Sequence, residues 1–315
     1  MVDSKHQWKA WLYLLPTLIL LAVFTVWPII NTVRIAFLDG YSMSAALGGK
    51  QYMLGIENFK IVVKYPGFIN CLKNTLLLCV VTVPISTILA LLISVVLNSI
   101  KVLNRFFQTI FFLPYVTNSI AIGMVFAAMF NIVGNISGGG KIDSPGIINN
   151  FLSLFGVEPI NWINVGSKYW QNFFVMVIYI VWNALPFKIL IILGGLQSIN
   201  KQYYDAAKVD GTSKARVLWR ITVPLLSPIL AYVLITSFIG GFKEYSSIVG
   251  IFGDTMGPPG DMSSGGQMNT MVGYIYQSLE TSHQGRASAA ALILFGIILI
   301  VTLLNLYISK KKVHY

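Results

Sequence analysis

Residues 74–97 read NTLLLCVVTVPISTILALLISVVL, and these 24 positions contain no charged side chain. A helix of about 20 apolar residues is long enough to cross the hydrocarbon core of a bilayer, where it satisfies its own backbone hydrogen bonds. The run lacks the alternation of polar and apolar residues that is typical of a membrane β-strand. The segment therefore predicts a transmembrane helix.

Five further stretches of similar composition occur along the chain. The six together cover 134 residues, among which Lys188 is the only charged one. Of all 315 residues, 56% are apolar and 10% are charged, whereas about a quarter of the residues in a soluble domain are charged. This composition excludes a soluble globular enzyme. We predict an all-α membrane protein with six transmembrane helices, at residues 11–30, 74–97, 106–130, 173–196, 225–242 and 287–309.

The distribution of basic residues predicts how these helices are oriented. With the N-terminus inside, the inner segments hold 12 Lys and Arg in 52 residues, and the outer segments hold 9 in 129. Lysine and arginine are enriched in the cytoplasmic loops of membrane proteins. We therefore expect both termini to be cytoplasmic, and we attribute the net charge of +11 to these loops rather than to a nucleic-acid partner.

Groups that carry out catalysis are scarce. The three histidines, His6, His283 and His314, lie outside the predicted helices and far apart in the sequence, so no histidine-based metal site or catalytic triad is visible. No predicted helix contains Asp or Glu, which argues against a proton relay within the membrane. The longest connection has 44 residues and is too short and glycine-rich for a soluble catalytic domain. We expect no enzyme activity, no catalytic residue and no metal site in this chain.

The longest inner segment, residues 197–224, reads QSINKQYYDAAKVDGTSKARVLWRITVP. Asn200 is suited to cap a short helix at 201–209, and Gly211 is suited to the left-handed turn that ends it. Ser213 is then positioned to cap a second helix that stops near Pro224. This local pattern fits both a short rigid protrusion on the cytoplasmic side and a solvated connector.

Residues 205–211, DAAKVDG, followed by Ile221 and Pro224, resemble the EAA loop of permease subunits in binding-protein-dependent ABC importers. The loop also lies where that family has it, between the fourth and fifth of six helices. Two positions depart from the family pattern, which usually has Glu in place of Asp205 and Pro in place of Asn200. Other segments, spread over essentially the whole chain, resemble the carbohydrate-uptake branch of the family: YLLP at 13–16, WP at 27–28, GIENF at 55–59, NTL at 74–76, FLPY at 112–115 and GGLQSI at 194–199.

The resemblance implies the fold of a type I ABC importer permease, a multi-pass protein of the bacterial or archaeal cytoplasmic (inner) membrane. Residues 1–70 would form a cytoplasmic tail, the first transmembrane helix and the first external loop. Residues 71–310 would form the transmembrane core of five helices with the EAA loop at about 197–224, and residues 311–315 a cytoplasmic tail.

The resemblance also implies partners. In the family, the EAA helix seats in a groove on a separate ATPase subunit, so ATP and magnesium are expected on that partner and no cofactor in this chain. The expected complex holds this chain, a second and different permease, two ATPase copies and an external solute-binding protein, all surrounded by membrane lipid. The residues implied to couple to the ATPase are Tyr204, Asp205, Ala206, Ala207, Asp210, Gly211, Ile221 and Pro224.

The family binds its solute near the middle of the membrane, and sugars need aromatic faces and neutral hydrogen-bonding groups. Candidates of these types are Tyr115, Asn118, Ser119, Asn183, Tyr245, Tyr274, Tyr276 and Gln277. The charged residues Lys243 and Glu244 are further candidates, because they stand at the end of the fifth predicted helix. Each also fits an interfacial aromatic belt, a helix–helix hydrogen bond or a solvated loop. Lys243 and Glu244 are expected near the outer end of the fifth helix, exposed or facing a cavity. Lys188 is expected to snorkel to the cytoplasmic interface, and the alternative is a role in the pore.

The predicted function is that of the permease subunit of an ATP-driven importer. With a second permease, the chain would form an alternating-access pathway for a sugar or oligosaccharide delivered by an external binding protein. The alternatives are an importer of a polyol or of glycerol phosphate, an ion-coupled secondary transporter, and a membrane-bound enzyme, for which the chain offers little chemistry.

Overall fold

The computed structural model describes residues 7–100, 104–134, 142–259 and 265–312, and most of these residues are helical. Residues 1–6 of the predicted N-terminal tail, and residues 313–315 of the predicted C-terminal tail 311–315, lie outside the described ranges. The elements, in chain order, are α1 (Gln7–Leu21), a π-helical turn (Ala22–Val26), α2 (Trp27–Ala36), α3 (Met43–Leu47), α4 (Glu57–Lys64), α5 (Pro66–Ser99), α6 (Asn104–Val116), α7 (Ser119–Phe130), β1 (Val133–Gly134), β2 (Ile142–Ser144), α8 (Gly146–Ser153), α9 (Tyr169–Ser198), α10 (Lys201–Val209), α11 (Lys214–Val217), a second π-helical turn (Leu218–Thr222), α12 (Val223–Leu225), α13 (Ser227–Phe242), α14 (Ser246–Phe252), a 3-10 turn (Gly253–Thr255), α15 (Met271–Glu280) and α16 (Gln284–Lys312).

Four helical segments are long and apolar enough to cross a membrane: Trp11–Ala36, α5, α9 and Gln284–Ser309. Two bent pairs raise the number of candidate spans to six if each pair counts as one. The all-α class is confirmed, with one small antiparallel ribbon of β1 and β2 added to it. The candidate spans fall at the six predicted places, although most extend beyond the predicted limits; α5, for example, begins eight residues before residue 74.

The third predicted helix, 106–130, is wrong as a single helix. It breaks between α6 and α7, where the direction of the helix axis bends by 105°. The break has a local cause: the Asn118 side chain accepts hydrogen bonds from the backbone N–H groups of Ile120 (2.9 Å) and Ala121 (3.3 Å), so it caps a new helix. Apolar content alone does not reveal such a cap inside a hydrophobic run.

The fifth predicted helix, 225–242, is also bent where it meets the preceding loop. Between the helical segment Lys214–Leu225 and helix α13, the direction of the helix axis bends by 72°. Leu226, between them, has a ψ of −4°, and Pro228 stands in the first turn of α13. Since proline has no backbone N–H, it cannot continue the hydrogen-bond ladder of the segment before it.

The described residues form two compact units by their internal contacts. The first comprises the described residues among 1–65 and 274–293, and the second comprises those among 66–273 and 294–315. The first unit is held together in part by the buried Asn58, whose amide donates to the carbonyl of Ala36 (3.1 Å) and that of Leu38 (2.8 Å). The predicted division at residues 70 and 310 concerns membrane topology, and it stays a prediction.

In the second unit, α5 packs along α9, while α13 also contacts α5 and α14 contacts α7. Helix α5 buries hydroxyl side chains within its apolar sequence, and three of them that lie close together bond within the helix. Thr82, Ser86 and Thr87 donate to the carbonyls of Leu78 (2.7 Å), Thr82 (2.5 Å) and Val83 (2.7 Å), respectively. A buried hydroxyl that is satisfied in this way costs little. These three side chains form part of the site described next.

Candidate functional site

The second unit contains a cavity of about 430 Å³ between α5, α6, α9 and α13. The break between α6 and α7 contributes Thr117 and Ser119 to its wall, and the turn that follows α13 contributes Glu244. Hydroxyl, amide and charged groups therefore alternate with apolar surface. The lining residues are Thr82, Val83, Ser86, Tyr115, Thr117, Ser119, Ile180, Asn183, Ala184, Phe187, Lys188, Thr236, Ser237, Gly240, Gly241 and Glu244.

One side of the cavity presents aromatic faces. The rings of Tyr115 and Phe187 stack, with centroids 5.7 Å apart and planes inclined by 17°. Tyr115 is half exposed, and both rings belong to the cavity lining. Stacked rings at a cavity wall provide the kind of apolar surface that carries a sugar ring or another planar apolar group.

A cluster of neutral polar groups lies at the start of α7. The amide nitrogen of Asn183 donates to Ser119 Oγ (3.2 Å), and the hydroxyls of Ser119 and Tyr179 are 3.1 Å apart. Tyr179 also donates to the backbone carbonyl of Ser119. These bonds link α7 to α9 and hold Ser119 and Asn183 at the cavity wall.

Lys188 does not snorkel, so that prediction is wrong. It is 4% exposed, and its ammonium donates to Ser86 Oγ (2.6 Å) and Thr87 Oγ1 (3.2 Å) of α5. Helix α5 is packed against this face of α9 and supplies these acceptors. Lys188 therefore lines the cavity instead.

Lys243 and Glu244 follow the end of α13 and separate from each other. Lys243 is exposed, whereas Glu244 lines the cavity, so each takes one of the two positions that the sequence predicted for the pair. The Glu244 carboxylate accepts a hydrogen bond from the backbone N–H of Ser247 (3.2 Å), and its carbonyl accepts one from Thr270 Oγ1 (2.7 Å). Removal from bulk water raises the pKa of the Glu244 carboxyl, and the bond from Ser247 acts in the opposite direction.

Four of the ten predicted pathway residues line this cavity: Tyr115, Ser119, Asn183 and Glu244. Among the others, Asn118 caps α7, Lys243 is exposed and not part of the lining, and Tyr245 packs against the hydrophobic core. The last three, Tyr274, Tyr276 and Gln277, belong to α15 in the first unit and are not part of the lining.

Sequence reasoning missed the small hydroxyl residues Thr82, Ser86, Thr236 and Ser237. The sequence does contain a signal for these residues, because each is a polar residue inside an otherwise apolar span. Such residues also bond to their own helix, as Thr236 does to the carbonyl of Tyr232 (2.8 Å), so their position on the cavity side could not be read from the sequence.

The loop between α9 and α13 has the predicted form. Helix α10 covers 201–209 as expected, and Asn200 Oδ1 accepts from the backbone N–H of Gln202 (3.0 Å). Gly211 has a φ of +63°, and its turn leads to Ser213, which precedes α11. In the described structure the Ser213 side chain makes no capping hydrogen bond, so only its position is as predicted. We call residues 200–225 the coupling loop.

The eight residues predicted to couple to an ATPase differ in accessibility. Ala207 is buried and Tyr204, Ile221 and Pro224 are partly buried, whereas Asp205, Ala206, Asp210 and Gly211 are exposed. The Tyr204 hydroxyl lies 3.3 Å from Thr222 Oγ1 in the second π-helical turn. Asp205 forms an exposed ion pair with Lys208 (3.0 Å). The loop thus has two parts. Its exposed tip contains Asp205, Ala206, Asp210 and Gly211, and its partly buried base contains Tyr204, Ile221 and Pro224.

Several membrane-crossing helices, a cavity among them and an exposed helical loop define a multi-pass membrane permease. Residues 82–314 match the model of the family described as "Binding-protein-dependent transport system inner membrane component". The chain belongs to this family, and its fold is that of a type I ABC importer permease.

Individual relatives match over nearly the whole chain. It is 30% identical over 311 residues to the arabinooligosaccharides transport system permease protein AraP of Bacillus subtilis, covering 98% of this chain and 91% of that one. It is 28% identical over 300 residues to the lactose transport system permease protein LacF of Rhizobium radiobacter, covering 94% and 91%. A crystal structure of a bacterial alginate ABC transporter, in complex with a periplasmic protein that binds an alginate pentasaccharide, matches with a TM-score of 0.77 at 22% identity, covering 98% and 96%. That last likeness shows the fold alone.

Proposed function

We propose that this chain is the permease subunit of an ATP-driven ABC importer for a sugar or an oligosaccharide. The observation that carries the proposal is the cavity, whose wall contains both the stacked Tyr115–Phe187 pair and the hydroxyl and amide groups of Ser119 and Asn183. Saccharides combine apolar ring faces with many hydroxyls, so they suit a wall of this composition. The relatives named for arabinooligosaccharides and lactose support the same class of solute.

The coupling loop is the proposed contact with the ATPase. Its exposed tip carries Asp205, Asp210 and Gly211, and its base contacts the start of the bent fifth span through Tyr204 and Thr222. An ATPase that grips α10 would pull on α13 through this contact, and α13 forms part of the cavity wall. ATP hydrolysis would then drive the pathway between inward-open and outward-open states, while this chain itself hydrolyses nothing and binds no cofactor.

The proposed assembly pairs this chain with a second, different permease, two ATPase copies that hold ATP and magnesium, and an external solute-binding protein. The alginate transporter whose fold it shares was crystallised with such a periplasmic protein. We place the chain in the cytoplasmic membrane of a bacterium or archaeon with both termini inside, as its density of inner Lys and Arg predicts.

The test is uptake by the complete complex in proteoliposomes, with ATP inside and a panel of saccharides and polyols outside together with the binding protein. We expect saccharide uptake that stops without ATP or without the ATPase subunits. Uptake that needs only an ion gradient would contradict the proposal in favour of a secondary transporter. Uptake confined to a polyol or to glycerol phosphate would contradict the solute class alone.

A further inference from the structure

The second half of the coupling loop, the helical segment Lys214–Leu225, bends away from α13 by 72°. Helix α13 belongs to a candidate membrane span, so a segment at this angle to it runs closer to the plane of the membrane than to its normal. Helices that lie in that plane combine basic residues, which reach lipid headgroups, with Trp or Leu, which reach the acyl boundary. We call residues 214–225 the basic segment.

The basic segment has the composition of such a helix. Its charged residues are Lys214, Arg216 and Arg220, which are all exposed and form no ion pair with a described residue. Residues 211–243 contain no Asp or Glu, so no carboxylate nearby in the sequence offsets this charge. The side chain of Trp219 is 64% exposed, and tryptophan is enriched where a protein meets the membrane interface. The segment therefore presents uncompensated positive charge beside an exposed indole ring.

A cleft of about 220 Å³ lies where the basic segment meets α13 and α16. Its walls are mostly apolar, with Leu230 and Leu234 from α13 and Ile308 from α16. The amide of Asn305, which also belongs to the lining, donates to the carbonyl of Val301 in its own helix (3.0 Å). Ile308 is half exposed, so the rest of the described chain does not cover this part of α16. Because apolar cavities hold water poorly, such a cleft is suited to a lipid acyl chain.

The other two polar residues of the cleft lie at the end that adjoins the basic segment. Ser227 is the first residue of α13, and Ser309 stands three residues before the end of α16. The sequence continues from Ser309 with the three lysines Lys310–Lys312. Arg220 precedes Val223, another residue of the lining, by about one helical turn. These positions make one end of the cleft polar and basic and leave the rest apolar.

We propose that this cleft binds one anionic phospholipid of the cytoplasmic leaflet, with its headgroup near Arg216 and Arg220 and an acyl chain along α13. Basic pockets between spans on the cytoplasmic side bind anionic headgroups, and the arginine guanidinium matches the geometry of a phosphate. A lipid without net charge offers the same acyl chain but leaves the charge of the two arginines uncompensated. The inference goes beyond the proposed function and rests on it only for the side of the membrane on which the coupling loop lies.

The experiment measures lipid binding by the complete complex in a neutral detergent, with native mass spectrometry to count the bound lipids. The probes are phosphatidylglycerol, which is anionic, and phosphatidylcholine, which has no net charge. The double variant Arg216→Gln with Arg220→Gln removes two charges, and Arg216→Lys with Arg220→Lys keeps them. Lys73→Gln is the control, because it removes an exposed lysine of α5 outside the cleft. Ala231→Leu narrows the cleft from its wall and leaves the charges in place.

We expect the wild-type complex to bind phosphatidylglycerol in preference to phosphatidylcholine. The double glutamine variant should need about 10- to 30-fold more phosphatidylglycerol for the same occupancy, since each basic residue near an anionic headgroup contributes a factor of about five. The double lysine variant should retain most of the binding, and Lys73→Gln should behave as the wild type. Ala231→Leu should lower the occupancy by either lipid, because the acyl chain has less room.

Equal binding of the two lipids by the wild type would overturn the proposal, as would unchanged binding of phosphatidylglycerol by the double glutamine variant or by Ala231→Leu. If the double glutamine variant bound phosphatidylglycerol normally but lost its ATPase subunits during purification, the proposal would also be wrong, and the two arginines would belong to the contact with the ATPase. Lipid binding is counted without transport. A complex that binds the lipid but imports no saccharide would therefore contradict the proposed function alone.

Discussion

The cavity wall buries its charged Lys188, whereas the coupling loop exposes its charged Asp205 and Lys208 to water. In the wall, Lys188 is buried against neutral hydroxyls of a helix about a hundred residues away in the sequence. In the loop, Asp205 pairs with Lys208 one turn further along the same helix, and both side chains are exposed to water. The wall depends on contacts between distant segments, whereas the tip of the loop depends on local backbone geometry.

This difference predicts which variants lower the stability of the protein and which affect its coupling to the ATPase. Packing between distant helices holds the wall in place, so a change there should affect folding as well as transport. The loop tip contributes little buried surface, so a change there should leave the fold intact and affect only what the tip does to a partner. Variants in the two regions should therefore differ in kind as well as in size.

The largest effect is expected where α7 and α14 meet through two glycines. A Cβ added to Gly123 would lie 2.7 Å from the Cα of Gly250, which is too close for any real contact. The helices must move apart to admit it, so Gly123→Ala should cost about 1–3 kcal/mol of stability. Thermal unfolding in detergent should show a clear drop in Tm.

Gly296→Ala in α16 is the matched control, because nothing lies within 4 Å of its added Cβ. It should leave the Tm unchanged or raise it, since glycine is a poor residue within a helix. If Gly123→Ala unfolded at the wild-type temperature, the close contact between α7 and α14 would be wrong.

The second effect is on coupling without loss of stability, at Gly211. No atom lies within 4 Å of a Cβ placed there, but the φ of +63° strains any β-branched residue. A cost of roughly 1–2 kcal/mol would lower the ratio of correctly turned loops to other loop conformations by about 5- to 30-fold. Because the tip is exposed, the loop can relieve this strain by changing its local conformation. Gly211→Val should therefore lose most ATP-driven uptake while the chain still inserts and keeps its Tm.

Gly211→Asn provides the control, because asparagine tolerates the left-handed conformation better than valine. It should retain more uptake than Gly211→Val. Equal uptake by Gly211→Val and the wild type would contradict the role of this turn in coupling.

The distinction between local contacts and contacts of distant segments also explains which features could be predicted from the sequence. The coupling loop was predicted closely, because Asn200 and Gly211 act on backbone atoms within a few residues of themselves. The places of the candidate spans were predicted as well, since apolar composition alone defines them. The bend at Asn118 was not, because the cap that causes it is a single residue within an apolar run.

The cavity could be predicted only in part. Aromatic and amide residues such as Tyr115 and Asn183 were natural candidates, but which of them share a wall depends on how α5 and α9 pack. The environment of Lys188 shows the limit most clearly, because its partners Ser86 and Thr87 are ordinary hydroxyl residues of another span. Without that packing, a lysine eight residues from the end of a predicted span is reasonably expected to snorkel.

A smaller effect is expected at the base of the loop. Tyr204→Phe removes the hydroxyl that lies 3.3 Å from Thr222 Oγ1, a hydrogen bond worth about 0.5–1.5 kcal/mol. If this bond connects α10 to the fifth span, ATP hydrolysis should continue while uptake per ATP falls by about two- to tenfold. The ratio of solute moved to phosphate released measures this directly.

The neighbouring Tyr203 is the control for that change, because it is exposed and makes no hydrogen bond of this kind in the described structure. Tyr203→Phe should keep the wild-type ratio. A Tyr204→Phe complex with the same ratio would show that the contact with Thr222 transmits nothing.

The smallest effect concerns the ion pair of Asp205 and Lys208. Exposed pairs contribute about 0–1 kcal/mol, because water screens the charges and ordering two side chains costs entropy. Asp205→Asn should therefore leave the Tm unchanged, and any loss of uptake must arise from a partner that meets the carboxylate. Asp205→Glu keeps the charge and introduces the residue that the family usually has, so it should transport as well as the wild type. A fall in Tm in Asp205→Asn would mean that this pair stabilises the loop itself, and the contrast with the cavity wall would then be weaker than its geometry indicates.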